Sequence, residues 1–163
     1  MITFITRQTL DHFGKAVPGL VRALDKTTLG ESWSIQGLYD HLINFEAYAF
    51  VQEESGYAGA FTISQTPLKR SIYFFWSGKD ASNDIPVDFA EVDTFLVAAT
   101  RHFNCTQIIA EGRKGWAPVV APYGFREDSR VYIKEVSHEL PEIQPTTSDG
   151  CEPNGGGQGE LTL

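Results

Sequence analysis

Hydrophobic and polar residues follow regular spacings in the first third of the chain, and these predict one strand and two helices. The β-branched and aromatic stretch "ITFITRQ" (residues 2–8) predicts a strand, after which Thr9 is expected to cap a helix. Because Pro18 lies within that helix, we expect either a kink or two short helices. Ser34 opens a second predicted helix. The apolar faces of the two helices are formed by Leu10, Phe13, Val17, Leu20 and Leu24, and by Ile35, Leu38, Leu42 and Phe45.

The middle of the chain predicts three strands and a long helix. "EAYAFVQEES" and "YAGAFTISQT" flank Ser55-Gly56 and predict an antiparallel hairpin. "RSIYFFWSG" is densely apolar, as expected of a strand buried on both faces. Asp88, with Glu91 three residues later, resembles a capping box at the start of the helix. Its apolar stripe consists of Phe89, Val92, Phe95, Leu96, Ala99 and Phe103.

The remaining segments predict two further strands around a loop. "CTQIIAE" is strand-like, and so is "SRVYIKEV" (residues 129–136). Between them, "GRKGWAPVVAPYGFRE" has Pro118 suited to a first helical turn and Pro122 suited to ending it. We therefore predict an α/β fold in which an antiparallel meander is followed by a long helix and a parallel strand, with helices on both faces. The predicted domain spans residues 1–136, and residues 137–163 form a flexible acidic tail rich in Gly and Pro.

Charge and composition narrow the function classes. The net charge is −8, and the tail contributes five acidic residues without a Lys or Arg, which leaves about −3 for the rest. Nucleic-acid binding needs clustered Lys and Arg, and this sequence is locally basic only at "LKR" (residues 68–70) and "GRKG" (residues 112–115), so we expect no nucleic-acid partner. No apolar run has the roughly 18 residues that a membrane span needs. The two cysteines, Cys105 and Cys151, fit a reducing compartment, and we expect a cytoplasmic protein with no membrane partner.

The order of elements resembles that of the GNAT superfamily of N-acyltransferases over roughly residues 1–136. The ending is also similar, with Gly124-Phe125 before a strand that contains Lys134-Glu135-Val136. The resemblance implies a domain that binds acetyl-CoA between two splayed central strands and transfers an acyl group to an amine. The pattern also looks like the divergent GNAT-like proteins of tailed bacteriophages, which would place the protein in the host cytoplasm or the virion.

The stretch that would hold the cofactor departs from the family pattern. The family carries Arg/Gln-x-x-Gly-x-Gly/Ala before the long helix, where backbone amides and the helix N-terminus cradle the CoA pyrophosphate. This chain has "SGKDASNDIPVDFAE", with the single glycine Gly78 out of place and the acidic residues Asp80, Asp84, Asp88 and Glu91. Carboxylates there repel a pyrophosphate by about 4 kcal/mol per pair at 4 Å and an effective dielectric of 20. We therefore expect no cofactor, or acetyl-CoA if the protein is an enzyme.

Candidate site residues follow from the same resemblance. Many family members use a tyrosine about one turn before Gly-Phe as the general acid, and this chain has Val120 there, which leaves Tyr123 as the candidate catalytic residue. Lys79, Arg113 and Lys114 are the candidate cofactor-binding residues. Where the family sometimes places a general base, this chain has Glu46, Glu53 and Glu54, which are more simply solvated. No His, Cys and Asp spacing indicates a metal site.

Two hypotheses therefore stand beside each other. In the first, the domain is a non-catalytic relative that binds protein partners, as a component of a phage particle or of its assembly. In the second, it is an acetyl-CoA-dependent N-acyltransferase acting on an amine. The degenerate phosphate cradle and the missing acid favour the first, and the large share of enzymes in the family favours the second.

Overall fold

The computed structural model describes residues 1–137, of which Met1–Glu127 form one compact unit. Its strands are β1 (Ile2–Ile5), β2 (Tyr48–Gln52), β3 (Tyr57–Gln65), β4 (Arg70–Lys79) and β5 (Gln107–Ala110). Its helices are α1 (Phe13–Lys26), α2 (Ile35–Ile43), α3 (Phe89–His102) and the single turn α4 (Ala117–Val120). Short 3₁₀ turns cover Arg7–His12, Thr28–Glu31, Lys114–Trp116 and Ala121–Tyr123. Within the described range, no helix has the length and apolar content needed to cross a bilayer.

The five strands form one mixed sheet in the order β1-β2-β3-β4-β5. The first four pair antiparallel, and β5 pairs parallel to β4 after the crossover through α3. This confirms the predicted meander followed by a parallel strand. The predicted hairpin is also confirmed, with Ser55 and Gly56 in the turn between β2 and β3.

Apolar clusters cover both faces of the sheet, as predicted for helices on both sides. The cluster on the α1 and α2 side includes Ile5, Leu20, Leu38, Leu42 and Trp76. The cluster on the α3 side includes Phe50, Phe61, Ile72, Val92 and Leu96. Strand β4 contributes Trp76 to one cluster and Ile72 to the other, which confirms that it is buried on both faces.

A β-bulge interrupts the pairing of β4 with β3. Ala60 lies opposite Trp76 and Phe61 lies opposite Phe74, so Phe75 is the extra residue of β4. The bulge places two consecutive side chains, Phe75 and Trp76, against the same cluster on the α1 and α2 side. A bulge also increases the local twist of its strand, which re-aims the last four residues of β4.

The N-terminal prediction was right in kind and wrong in its boundaries. Strand β1 ends at Ile5, and Thr6, not Thr9, caps the following turn by accepting a hydrogen bond from the amide of Gln8. The Thr9 hydroxyl completes the motif by accepting from the amide of Thr6. Helix α1 runs without interruption through Pro18, so of the two alternatives, a kink or two short helices, the second was wrong.

Helix α1 approaches β4 closely because two glycines meet at the crossing. A Cβ built on Gly78 would lie 2.3 Å from the carbonyl oxygen of Gly19, and a Cβ on Gly19 would lie 2.6 Å from the carbonyl oxygen of Gly78. Both distances are far below van der Waals contact, so neither position accepts a side chain without moving the backbone. Gly78 therefore serves helix packing.

The predicted last strand, residues 129–136, was wrong for the part of the chain that the structure describes. Residues 128–137, the described part of a second unit, contain no helix or strand. The apolar side chains there are largely exposed, from 67% to 88% of their surface, and they are Val131, Tyr132, Ile133 and Val136. The prediction of a flexible tail concerns residues that, apart from Ser137, lie outside the described range.

Candidate functional site

The candidate site lies where β4 ends, α3 begins and β5 no longer accompanies β4. Strand β5 pairs with β4 only from Ser71 to Phe74, and the amide of Glu111 donates the next hydrogen bond to the Phe74 carbonyl at 3.0 Å. Residues 76–79 pair with β3 alone among the described strands. One edge of β4 is thus left without a strand partner beside the start of α3, which is where a ligand can enter a mixed sheet.

The connection from β4 to α3 is closed by its own hydrogen bonds. The amide of Asp80 donates to the Gly56 carbonyl at 3.1 Å, and the Asp80 carboxylate accepts from the Ser82 amide at 3.0 Å and from its hydroxyl at 2.8 Å. These two bonds from Ser82 lower the pKa of Asp80. The side-chain oxygen of Asn83 accepts from the Ile85 amide at 2.8 Å. Four amides of this stretch, those of Asp80, Ser82, Asn83 and Ile85, therefore already have acceptors within the protein.

A buried glutamine fixes the N-terminus of α3. Gln52, 2% exposed at the end of β2, accepts from the Asp88 amide at 3.0 Å and donates to the Asp88 carbonyl at 3.0 Å. It also accepts from the Ser55 hydroxyl at 2.6 Å. Since Ser55 is fully buried, this polar network is shielded from water and ties β2 to the start of α3.

The predicted capping box at α3 forms only in part. The Asp88 carboxylate accepts from the amide of Glu91 at 3.1 Å, which confirms Asp88 as the N-cap. The Glu91 side chain does not return to the Asp88 amide, because Gln52 already occupies that donor. Instead, Glu91 accepts from Gln52 Nε2 at 2.9 Å and lies 3.3 Å from the amino group of Met1. A carboxylate is thereby held at the positive end of the helix.

A cleft of about 580 Å³ lies at the N-terminus of α3. It is lined by Phe89, Arg113, Lys114, Gly115, Trp116 and Val119. The Trp116 indole meets the Phe89 ring edge to face, with centroids 5.8 Å apart, and lies 6.5 Å from the ring of Tyr57. A smaller hollow of about 380 Å³ is lined by Asp25, Lys26, Thr27, Thr28 and, again, Arg113.

The structure brings only two of the four predicted site residues together. Arg113 and Lys114 share the 580 Å³ cleft. Lys79 lies at the end of β4, where its ammonium group donates to the carbonyl of Asn83 in the closed connection. Tyr123 is 36% exposed in the last 3₁₀ turn, just before Gly124, whose φ of 89° is left-handed, and it lines neither hollow.

The three glutamates considered as general bases have other partners. Glu53 accepts a hydrogen bond from Lys15 at 2.6 Å, which lowers the pKa of Glu53. Glu54 pairs with the amino group of Met1. Glu46 lies 3.4 Å from the His41 imidazole. None of the three lines the two hollows.

Tyr57 provides a pH-dependent test of the core beneath the cleft. Burial raises the pKa of its phenol from 10.0 to about 12, and a hydrogen bond with Ser77 offsets part of the rise. At a pH between these two pKa values, the Tyr57 phenol is deprotonated in the unfolded chain and still protonated in the folded protein. The stability of the fold should therefore decrease as pH rises. We expect the free energy of unfolding to drop by about 1.4 kcal/mol per pH unit across that window. Urea titrations of wild type and Tyr57→Phe should differ in slope by this amount, and equal slopes would place the phenol in water.

Sequence reasoning missed Gln52 and Ser55, which organise the start of α3. A glutamine at the end of a strand and a serine in a turn are usually solvated, and neither stands in a recognisable motif. Only the pairing of β2 with β3 and the crossover through α3 bring them to Asp88. The acidic residues before α3 were the available signal, and they indicated the charge of this region without its hydrogen bonds.

Comparison with known proteins gives matches at the level of structure alone. No protein-family model and no curated protein sequence matches the chain. A probable acetyltransferase superposes with a TM-score of 0.63 at 17% identity over 84% of this chain and 99% of that one. An aminoglycoside acetyltransferase from an uncultured soil metagenomic sample gives 0.64 at 11% identity over 84% and 98%.

A third match concerns a structure with the cofactor bound. A predicted acetyltransferase with acetyl-CoA from Clostridium acetobutylicum gives a TM-score of 0.56 at 14% identity over 87% of this chain and 100% of that one. At these identities the likeness establishes the fold and leaves the chemistry open. The chain has the GNAT-like α/β fold of these acetyltransferases.

Proposed function

We propose that this protein is a GNAT-fold domain that does not hold acetyl-CoA in the family's manner and that acts by binding other proteins. The observation that carries the proposal is the occupied start of α3. The side chains of Gln52, Asp80, Asn83 and Asp88 each accept a hydrogen bond from a backbone amide before or in the first turn of the helix. A helix N-terminus attracts anions through such amides, and here these four amides already donate to acceptors within the protein.

Charge adds to this effect. Asp88 at the N-cap and Glu91 in the first turn place two carboxylates at the start of α3, and Asp80 stands in the connection before it. The nearest predicted counter-charge, Lys79, already donates to the Asn83 carbonyl. A pyrophosphate that approached this site would have to displace hydrogen bonds and meet like charges with no opposing cation in the connection.

The expected partners are proteins. The resemblance to GNAT-like proteins of tailed bacteriophages supplies a setting, in which the domain would be a component of a virion or of its assembly in the host cytoplasm. The net charge of −8 argues against nucleic acid as the partner.

Calorimetry with acetyl-CoA tests the proposal directly. Because several amides before α3 already have acceptors and carboxylates stand beside them, we expect a dissociation constant above about 1 mM, so the binding free energy should be no more favourable than about −4 kcal/mol. The same titration with CoA should show no tighter binding than that with acetyl-CoA. Binding in the micromolar range by either ligand would overturn the proposal.

An N-acyltransferase is the second candidate, and the unpaired edge of β4 favours it. The protein also has a cleft with two cations, Arg113 and Lys114, which could hold CoA without the usual cradle. The assay is acetyl transfer to a panel of amines with wild type and Tyr123→Phe side by side. Turnover that falls about 100-fold in the variant would establish an enzyme with Tyr123 as its acid. We expect no turnover from either protein.

A further inference from the structure

The two hollows described above are neighbours that share one lining side chain. Arg113 lines both the 580 Å³ cleft beside α3 and the 380 Å³ hollow at the end of α1. The lining of both hollows is called the groove here: Phe89 and Trp116 lie in the larger hollow, Lys26 lies in the smaller one, and Arg113 belongs to both. Three cations and one acid, Asp25, line it.

This local charge is opposite to that of the protein as a whole, whose net charge is −8. Among residues 1–137, neither the Arg113 nor the Lys114 side chain forms an ion pair or a side-chain hydrogen bond. By contrast, Lys15 pairs with Glu53 and Lys69 donates to Gln107. Cations that lack internal acceptors and share a concave surface are available to an anionic partner.

The groove also offers an apolar anchor point. Trp116 is half-buried, with one side of its indole against Gly112, where a Cβ would lie 3.1 Å from indole Cδ1. Its ring meets Phe89 edge to face, so the indole is braced by packing. Tryptophan and arginine side by side in a pocket are the residue types that most often dominate binding energy at protein interfaces.

We propose that this groove binds an acidic peptide segment of a protein partner, with an apolar side chain of that segment placed against Trp116 and Phe89. This inference rests on the proposed function and names the chemistry of the partner. A peptide fits better than a compact anion because the cations are spread along two neighbouring hollows. Carboxylates spaced along a peptide can meet Arg113, Lys114 and Lys26 separately. The same peptide can place an apolar side chain against the apolar end of the groove.

Fluorescence polarisation with three labelled peptides tests the groove on the full chain. The acidic peptide GDELDFEDG carries both charges and apolar residues, GNQLNFQNG removes the charges, and GDEADAEDG removes the apolar side chains. We expect the first to bind at low salt with a dissociation constant of about 100 µM or tighter. Each of the others should bind about tenfold more weakly or worse, and added salt should weaken the first.

Variants locate the binding. The double change Arg113→Gln and Lys114→Gln should weaken binding of the acidic peptide by about tenfold or more, and Trp116→Ala by a similar factor. Arg22→Gln is the matched control, because Arg22 is an exposed cation on α1 that lines neither hollow, and it should change the affinity by less than about twofold. Thermal melts confirm that each variant is folded.

The outcomes separate the groove from the proposed function. Equal affinity for all three peptides, no binding, or equal loss in Arg22→Gln and the double variant overturns the inference. If acetyl-CoA binds with a micromolar dissociation constant and displaces the peptide, both proposals are overturned, since the groove is then a cofactor site. If acetyl-CoA binds with a micromolar dissociation constant and peptide binding is unchanged, only the proposed function is overturned.

Discussion

Replacing Trp76 with alanine should destabilise the protein by about 3–5 kcal/mol, the usual cost of emptying a buried aromatic site. The Trp76 side chain is 1% exposed and is among the largest fully buried side chains of the described residues. Its indole N–H donates to the Leu20 carbonyl at 3.0 Å and so links β4 to α1. Trp33 meets it edge to face with centroids 6.0 Å apart, and no neighbour can fill the vacated volume without leaving its own contacts.

A urea titration measures this loss of stability, and the variant Trp76→Phe separates the contribution of the hydrogen bond from that of the cavity. Phenylalanine keeps most of the apolar volume and loses the hydrogen bond to Leu20, so we expect it to cost about 1–2 kcal/mol. The difference in free energy of unfolding between the two variants then gives the cost of the cavity. If Trp76→Ala cost less than about 1 kcal/mol, the bulge at Phe75 would not turn Trp76 into the core as described.

The strongest sequence predictions concerned elements whose local signals agree. In α3, the cap at Asp88 and the apolar stripe point to the same helix, and the structure forms it from Phe89 to His102. In β4, a continuous apolar run matched a strand covered on both faces. Such segments are predictable because propensity, capping and burial all favour one structure.

Predictions failed where a local signal needed a distant partner. Residues 129–136 are rich in β-branched and aromatic side chains, yet a strand also requires a neighbouring strand, and β-propensity does not supply one. At the N-terminus, Thr6 and Thr9 are equally good caps by residue type, and the choice depends on where β1 stops pairing with β2. In the sequence, Gly78 looks like a misplaced phosphate-loop glycine, because its contact, Gly19, lies in another element.

The candidate site shows the same division. Its acidic character could be read from Asp80, Asp84, Asp88 and Glu91 in the sequence. The physical obstacle to a phosphate is more specific than charge, because three amides before α3, those of Ser82, Ile85 and Asp88, already donate to side chains of the connection and of β2. That arrangement depends on Gln52, which is brought to α3 only by the fold.

Gln52→Glu should therefore be among the most damaging single changes outside the apolar core. The side-chain N–H₂ of Gln52 donates to Glu91 at 2.9 Å and to the Asp88 carbonyl at 3.0 Å, and a carboxylate would place an oxygen against both acceptors. An uncompensated charge at a site 2% exposed costs about 3–5 kcal/mol, so we expect a loss of this size at pH 7 in a urea titration.

The loss should depend on pH in a direction that identifies its cause. Burial and Glu91 both raise the pKa of the introduced carboxyl in the folded state, so the fold favours its protonated form. Below the unfolded pKa of about 4.3 the group is protonated in both states and can donate to Glu91, and the deficit should shrink. As pH rises from there through the folded pKa, the deficit should grow. Gln52→Leu, which removes the same hydrogen bonds without adding charge, should cost about 2–3 kcal/mol, with no such pH dependence from position 52. Parallel pH profiles for the two variants would mean that no carboxylate is being held against Glu91, and the start of α3 would then be free to reorganise around an anion.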